Sequence, residues 1–253
     1  MKIALIGYGK MGKAIENVAI QRGHTIVLKI DLETINQLTI ENLKKCDVAI
    51  EFSNPNSVLK NIYICLDAEI PTVVGTTAWL ENIVEVKEIV AKKNLSFVWA
   101  SNFSLGANLF FKLNKELASL MNNYVNPNQY NVVVEEIHHT QKLDVPSGTA
   151  ITLSNDILEN STNKKEIKPL GIGKNSIIDS TPKSTFDENI MVNALRIDNV
   201  PGTHIINYFS DEDSIAIKHT AHNRNGFALG ALIAAEKITN TKGFFEFRDL
   251  LFL

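Results

Sequence analysis

The run Glu135-Glu136-Ile137-His138-His139-Thr140-Gln141-Lys142-Leu143-Asp144-Val145-Pro146-Ser147-Gly148-Thr149-Ala150 holds the densest set of reactive side chains in the chain. Two of the six histidines stand side by side in it, and Lys142 follows closely. An imidazolium beside an ammonium suits the delivery of a proton and the stabilisation of developing negative charge. Neighbouring residues on a strand point to opposite sides, so one histidine faces a ligand while the other braces the structure or approaches from the rim. The same alternation makes the pair a poor metal chelate, and no cysteine is nearby, so no metal is expected. Pro146-Ser147-Gly148 then turns the chain into a helix. Ser147 is a natural N-cap, and Gly148 and Thr149 leave backbone N–H groups free at the helix start. With Lys142 this makes a place for a carboxylate. The competing reading is a pair of histidines that only completes a folded core.

A second constellation lies at the N-terminus. Gly7-Tyr8-Gly9-Lys10-Met11-Gly12 is a G-x-G-x-x-G that follows an apolar run and opens a helical pattern. The next apolar run leads to Asp31, 24 residues on from Gly7, near where the acidic ribose ligand of a dinucleotide site belongs. Gly7 permits the tight turn, Gly9 lets the backbone approach a pyrophosphate, and Gly12 lets helix and strand pack closely. The helix start holds the phosphates. A glycine turn with no ligand is the competing reading. Asp31 accepts from a ribose 2′-hydroxyl and repels a 2′-phosphate, and Leu32 stands where an arginine would pair with that phosphate. NADH is therefore expected in preference to NADPH, with Lys10, Lys13 and Lys29 as the residues able to compensate. Gly75-Thr76-Thr77 and Ala100-Ser101-Asn102-Phe103 follow two further strands and are placed to touch the nicotinamide half. Generic strand-to-helix turns explain them equally well.

These groups need a frame. Lys2–Ile6, Thr25–Ile30, Asp47–Phe52, Pro71–Val74 and Ser96–Ala100 read as strands. Met11–Arg22, Val58–Asp67 and Trp79–Lys92 alternate with them as helices. That rhythm predicts βαβ units and a doubly wound, Rossmann-type α/β domain over residues 1 to about 104. Helix Phe110–Met121, strand Val132–His138 and helix Thr149–Glu159 follow. A polar, Gly-containing stretch Lys164–Lys183, read as loop with short strands, and strands Ile190–Ile197, His204–Phe209 and Ser214–His219 come next. They predict a second, α+β domain with an open mixed sheet. Gly226–Ile238 is a helix too apolar to stand exposed, expected to pack back on the first domain. The predicted division is 1–104 with 220–253 for dinucleotide binding, and 105–219 for substrate binding and oligomerisation.

Composition fits this frame. The 253 residues carry 25 basic and 28 acidic side chains, a formal charge of −3, which gives no footprint for nucleic acid or anionic lipid. Cys46 and Cys65 are the only cysteines, excluding a disulfide framework and a cysteine-based metal site. Glycines and lysines interrupt the apolar start, and no segment has the apolar length of a membrane span, so a cytoplasmic protein is expected.

The pattern E-x-H-H-x-x-K-x-D-x-P-S-G-T-A, downstream of the glycine fingerprint, GTT and N-F-S-x-G, resembles the 4-hydroxy-tetrahydrodipicolinate reductase (dihydrodipicolinate reductase) family of lysine and diaminopimelate synthesis. The likeness runs on through Gly202-Thr203-His204, His219-Thr220-Ala221, Arg224 and Phe227–Ala231 to Gly243–Leu251. It implies His138 as catalytic acid with Lys142 as its partner, and His139, Gly148 and Thr149 on a small dicarboxylate substrate. It implies a nicotinamide cofactor, NADH or NADPH, held by Gly7 to Gly12, Asp31, Gly75 to Thr77 and Ala100 to Phe103. It also implies hydride transfer to C4 of a ring whose nitrogen gathers charge, and a homotetramer built on the second domain's sheet. Val145 for the usual alanine and a long Asn122–Asn131 loop depart from the family pattern. Asp198, where the family often has glycine, leaves Arg196 and the loop to His204 outside the expected site. Two alternatives share the fingerprint: another nicotinamide-dependent dehydrogenase of a small amino-acid-derived acid, and an NADH-sensing regulator. Neither accounts for the His-His-Lys run with Ser-Gly-Thr.

Overall fold

A computed structural model describes residues 1–77, 79–125, 129–178, 187–223 and 225–253. Arg224 and parts of the Asn122–Asn131 and Lys164–Lys183 stretches lie outside them. The chain divides into two compact units, Met1–Asn108 with Arg224–Leu253, and Leu109–Asn223.

In the first unit the strands are β1 (Lys2–Ile6), β2 (Thr25–Ile30), β3 (Val48–Glu51), β4 (Thr72–Val74) and β5 (Ser96–Trp99). Helices α1 (Lys10–Gln21), α2 (Ile40–Leu43), α3 (Val58–Asp67) and α4 (Ile83–Lys92) alternate with them. Apolar residues at helical spacing explain α1: Gly12, Ile15 and Ala19 are buried along one stripe, and Gly23 ends the segment at φ +78°. β1 is buried at four successive positions, as befits a central parallel strand covered on both faces.

Helix α5 (Leu105–Tyr124) begins five residues before the expected Phe110, because Ser104 caps it. Ala107 N donates to Ser104 Oγ at 3.3 Å. Strand β6 (Asn131–His138) and helix α6 (Gly148–Glu159) follow in the second unit, then β7 (Glu166–Ile172), β8 (Asn189–Arg196), β9 (Gly202–Phe209) and β10 (Ser214–Ala221). The polar stretch from Lys164 thus supplies a full seven-residue strand. Helix α7 (Asn225–Ile238), strand β11 (Gly243–Glu246) and helix α8 (Phe247–Leu251) complete the first unit.

The first sheet is wholly parallel, in the order β11-β5-β4-β3-β1-β2. On one face α1, α7 and α8 bury Ile3, Leu5, Val48, Ile50 and Val98. On the other, α2, α3 and α4 cover Ala4, Ile6, Ala49, Val74 and Phe97. Helices on both faces make it doubly wound, and α7 packs into this core as its apolar composition requires. Order reverses between β1 and β3, so the carboxyl ends of β1, β2 and β3 open a crevice at that switch point. The second sheet runs β10-β9-β6-β8-β7. β6–β8 and β7–β8 are parallel, and β6–β9 and β9–β10 antiparallel, so it is an open mixed sheet. Its central strand β6 carries Glu136 and His138 on one face, flanked by β8 and β9.

Candidate active site

The first unit places the glycine fingerprint at the switch point. Gly7 has φ +94°, and a Cβ there would stand 2.1 Å from the Phe52 carbonyl oxygen. A Cβ on Gly12 would stand 2.6 Å from the Gly7 carbonyl oxygen, so helix and turn touch backbone to backbone. Gly9 differs: a Cβ there would meet none of the described residues within 4 Å. It faces open space, as a residue must where a ligand's phosphates approach. Gly7, Tyr8, Gly9, Asp31, Leu32, Phe52, Ser53 and Asn54 border a cleft of about 400 Å³. Asp31 is exposed, and its Oδ1 accepts from Glu33 N and Thr34 N at 3.0 Å and from Thr34 Oγ1 at 2.9 Å. These bonds, Thr34's first, hold its carboxyl below the ordinary range. A dinucleotide fits this set: open space over Gly9, unpaired N–H groups at the start of α1 and a carboxylate at the end of β2.

Other expected cofactor residues meet the cleft less directly. Lys10 is exposed, and Met11 packs into the core. Gly75 abuts the Phe52 ring, where a Cβ would lie 2.2 Å away. Ser101 is exposed and Ala100 buried. Phe103 is buried between Phe52 and Phe247, ring centroids 5.7 and 5.0 Å away, so its side chain is a core anchor. Asn102 shapes its loop, with Oδ1 accepting from Ser104 N at 2.8 Å. Thr76 and Thr77 follow Gly75 at the mouth of β4. Sequence reasoning missed Glu51, which is fully buried beneath the cleft. Burial pushes its carboxyl up, against hydrogen bonds from Ser53 and Asn61. An acid ending a central strand was the available signal.

The second unit gathers the other constellation around one carboxylate. Glu136 is fully buried. Its Oε1 accepts from Ser147 N at 3.0 Å and from Arg196 Nη2 at 3.3 Å. Its Oε2 lies 3.2 Å from His138 Nδ1 and 3.9 Å from His204 Nε2. Register explains the cluster: His204 sits opposite Glu136 on β9, and Arg196 opposite His138 on β8. Burial alone would raise the Glu136 carboxyl, but the adjacent His138 ring and the hydrogen bond from Ser147 outweigh it and hold the group at about 2. Burial, then the neighbouring His138, drives His204 down to about 3, so it is neutral. Glu136, His138 and His204 are of metal-ligand type and close together. Arg196 already balances the carboxylate, however, and Ser147 Oγ stands 3.2 Å from His204 Nε2.

His138 ends β6 and is buried, whereas His139 just beyond is exposed, so the two side chains stand in opposite environments. Gly202 leaves the space beside His138 Nε2 open, since a Cβ there would lie 3.1 Å from that nitrogen. His139 borders a separate hollow with Thr140, Asp198 and Pro201. Ser147 caps α6, its hydroxyl accepting from Ala150 N at 3.2 Å. Gly148 and Thr149 hold the first helical N–H groups, which have no intrahelical acceptor. Lys142 Nζ pairs with Asp144 Oδ1 at 2.8 Å. Arg196 binds that loop from beneath, donating to Lys142 O at 3.2 Å and Asp144 O at 2.8 Å. Contacts therefore join His138, Ser147, Arg196 and, through its carbonyl, Lys142. His139, Gly148 and Thr149 adjoin this group only as chain neighbours. Arg196, set aside in the sequence reading, is its clamp, and its alternation with buried Leu195 was a signal.

Comparison with known proteins places both halves of the chain in one family. Residues 1–103 match the family profile described as dihydrodipicolinate reductase, N-terminus, and residues 106–251 match the corresponding C-terminus profile. The chain is 45 % identical over 252 residues to a 4-hydroxy-tetrahydrodipicolinate reductase of Christiangramia forsetii, covering 99 % of this chain and 98 % of that protein. One from Thermosipho africanus is 32 % identical over 253 residues, with 99 % and 98 % coverage. The dipicolinate-bound dihydrodipicolinate reductase of Paenisporosarcina sp. TG-14 shares the fold, at TM-score 0.76, 22 % identity and 97 % coverage of each chain.

Proposed function

The chain belongs to the dihydrodipicolinate reductase family and is an NAD(P)H-dependent oxidoreductase of diaminopimelate and lysine synthesis, and we propose how its own residues carry the reaction. The substrate is the dicarboxylate 4-hydroxy-tetrahydrodipicolinate, whose C4 hydroxyl leaves as water to give a conjugated ring, and addition of one hydride and one proton to that ring gives tetrahydrodipicolinate. When bound, the reduced nicotinamide supplies a hydride to C4 of the ring. Gly7 to Gly12 would hold the pyrophosphate and Asp31 the adenosine ribose. Gly75 to Thr77 and Ala100 to Phe103 would border the nicotinamide half. The ionised Asp31 followed by Leu32 supports a preference for NADH.

His138 delivers a proton as negative charge gathers toward the ring nitrogen, and Lys142 stabilises that charge. The N–H groups of Gly148 and Thr149 orient one substrate carboxylate, and His139 contacts the substrate from the rim. The observation that carries this reading is the shared carboxylate. Glu136 takes the backbone N–H of Ser147, which starts the substrate helix, and lies against His138, so acid and anchor are fixed by one group. Residues 1–104 with 220–253 bind cofactor, and 105–219 bind substrate and assemble the homotetramer. The enzyme works in the cytoplasm; among the described residues no helix is long and apolar enough to cross a membrane. The test is NADH oxidation, followed by ultraviolet absorbance, with the freshly generated condensation product of aspartate semialdehyde and pyruvate. Rapid oxidation on its addition is expected. None, from folded protein that binds NADH, would overturn the reading.

A further inference from the structure

Beside the dinucleotide cleft stands a cluster that the mechanism does not use. Glu16, on α1, takes Lys29 Nζ on Oε1 at 2.6 Å and the Tyr8 hydroxyl on Oε2. The Lys29 ammonium lies over the Tyr8 ring, 4.9 Å from its centroid, and Lys13 Nζ lies 6.0 Å from the same point. Tyr8 borders the cleft together with Asp31 and Leu32. Lys29 precedes Asp31 by two residues at the end of β2. Alternation therefore sends both side chains to one side, with backbones about 7 Å apart, within reach of a lysine stem. Lys29 meets this end of the cleft through the Tyr8 ring rather than lining it, and its charge is already matched by Glu16. Each partner moves the other: the Lys29 bond holds the Glu16 carboxyl down, and the Glu16 bond raises Lys29.

We propose that Glu16 is a cofactor-specificity residue, a carboxylate that anchors Lys29 against Tyr8 and so withholds it from a 2′-phosphate. The idea rests on the reading that places the adenosine ribose at Asp31, and deepens it. Asp31 repels the phosphate, and Glu16 removes the lysine that would otherwise offset that repulsion. Lys10 and Lys13 remain in every variant and cancel from the comparison.

The test is the ratio of kcat/KM for NADPH to that for NADH in the parent, E16A, E16Q, K29A and E16A/K29A proteins. A ratio measured within one preparation is independent of the fraction folded. E16Q keeps a hydrogen-bond acceptor for Tyr8 and guards against a packing effect. Freeing a surface ammonium for a phosphate should raise the ratio about fivefold in E16A, and in the same direction in E16Q. K29A alone should stay within about twofold of the parent, and E16A/K29A should fall back to the K29A value. An unchanged ratio in E16A, or an equal rise with Lys29 absent, would overturn the proposal. So would a large fall in K29A, since the lysine would then already hold the phosphate. A parent that favours NADPH counts against the Asp31 reading, while the E16A comparison still decides the part played by Glu16.

Discussion

Replacing Glu136 by glutamine keeps the shape of the side chain but removes the charge at the centre of the second constellation. Its carboxyl titrates at about 2, against 4.5 for a free glutamate, so the fold favours the ionised form by about 3 kcal/mol. Glutamine cannot supply that, and it leaves the Arg196 guanidinium buried without its counter-charge. The sign follows from proton binding. Between 4.5 and 2 the unfolded chain holds the extra proton, so the stabilisation is complete above pH 4.5 and fades as pH falls through about 2. At pH 3 roughly 1 kcal/mol of it remains. Amide hydrogen exchange reads this locally, with strands 131–138 and 189–196 reporting and strands 2–6 and 48–51 as internal reference. Tryptophan fluorescence would not serve, because Trp79 and Trp99 both lie in the first unit. The variant should open the reporting strands about 100-fold more readily at pH 7 and about tenfold more at pH 3, with the reference unchanged. Equal protection at pH 7, or the same ratio at both pH values, would refute the assignment of Glu136 as an ionised hub.

Arg196→Met should lower kcat/KM by about tenfold or more, with both KM and kcat affected, because the carbonyls of Lys142 and Asp144 lose their clamp. Steady-state kinetics with varied substrate would show it. His204, neutral with a folded value of about 3, makes the fold less stable as pH falls below 6.5, by about 2 kcal/mol between pH 7 and pH 5. His204→Gln should flatten that slope in urea unfolding followed by circular dichroism. Gly148→Val should fold normally, since a Cβ at Gly148 meets none of the described residues within 4 Å. It should raise the substrate KM more than it lowers kcat, by shielding the helix start.

The chemistry-bearing residues were legible because their patterns are local. Gly7 to Gly12 lie within one turn of chain, and the Ser147 cap announces its helix. Strands β1 and β2 and helix α3 have the predicted bounds, since buried parallel strands and amphipathic helices each leave an unbroken periodic trace. What escaped was either short or made by tertiary contact. β11 offers only Phe244 and Phe245 between polar neighbours. It is a strand because Phe244 stacks on Phe97, centroids 5.2 Å apart, and Gly243 N donates to Leu95 O at 2.8 Å. Gly106 masked the first turn of α5, which depends on the Ser104 cap. Arg196 looked doubtful because Asp198 breaks the family pattern, but its role depends on register. Only the pairing of β6 with β8 brings it beneath Glu136 and the Lys142 loop. Lys29 likewise reads as a free cation in the sequence, because its partner Glu16 lies on the neighbouring helix.

The central assignment, His138 as the proton donor, is tested most directly by comparing kcat for the wild type and His138→Ala with saturating NADH and freshly generated substrate. The loss should fall on kcat, about 100-fold or more, with substrate KM little changed because the Gly148 and Thr149 amides remain. A variant that turns over at the wild-type rate would contradict the account.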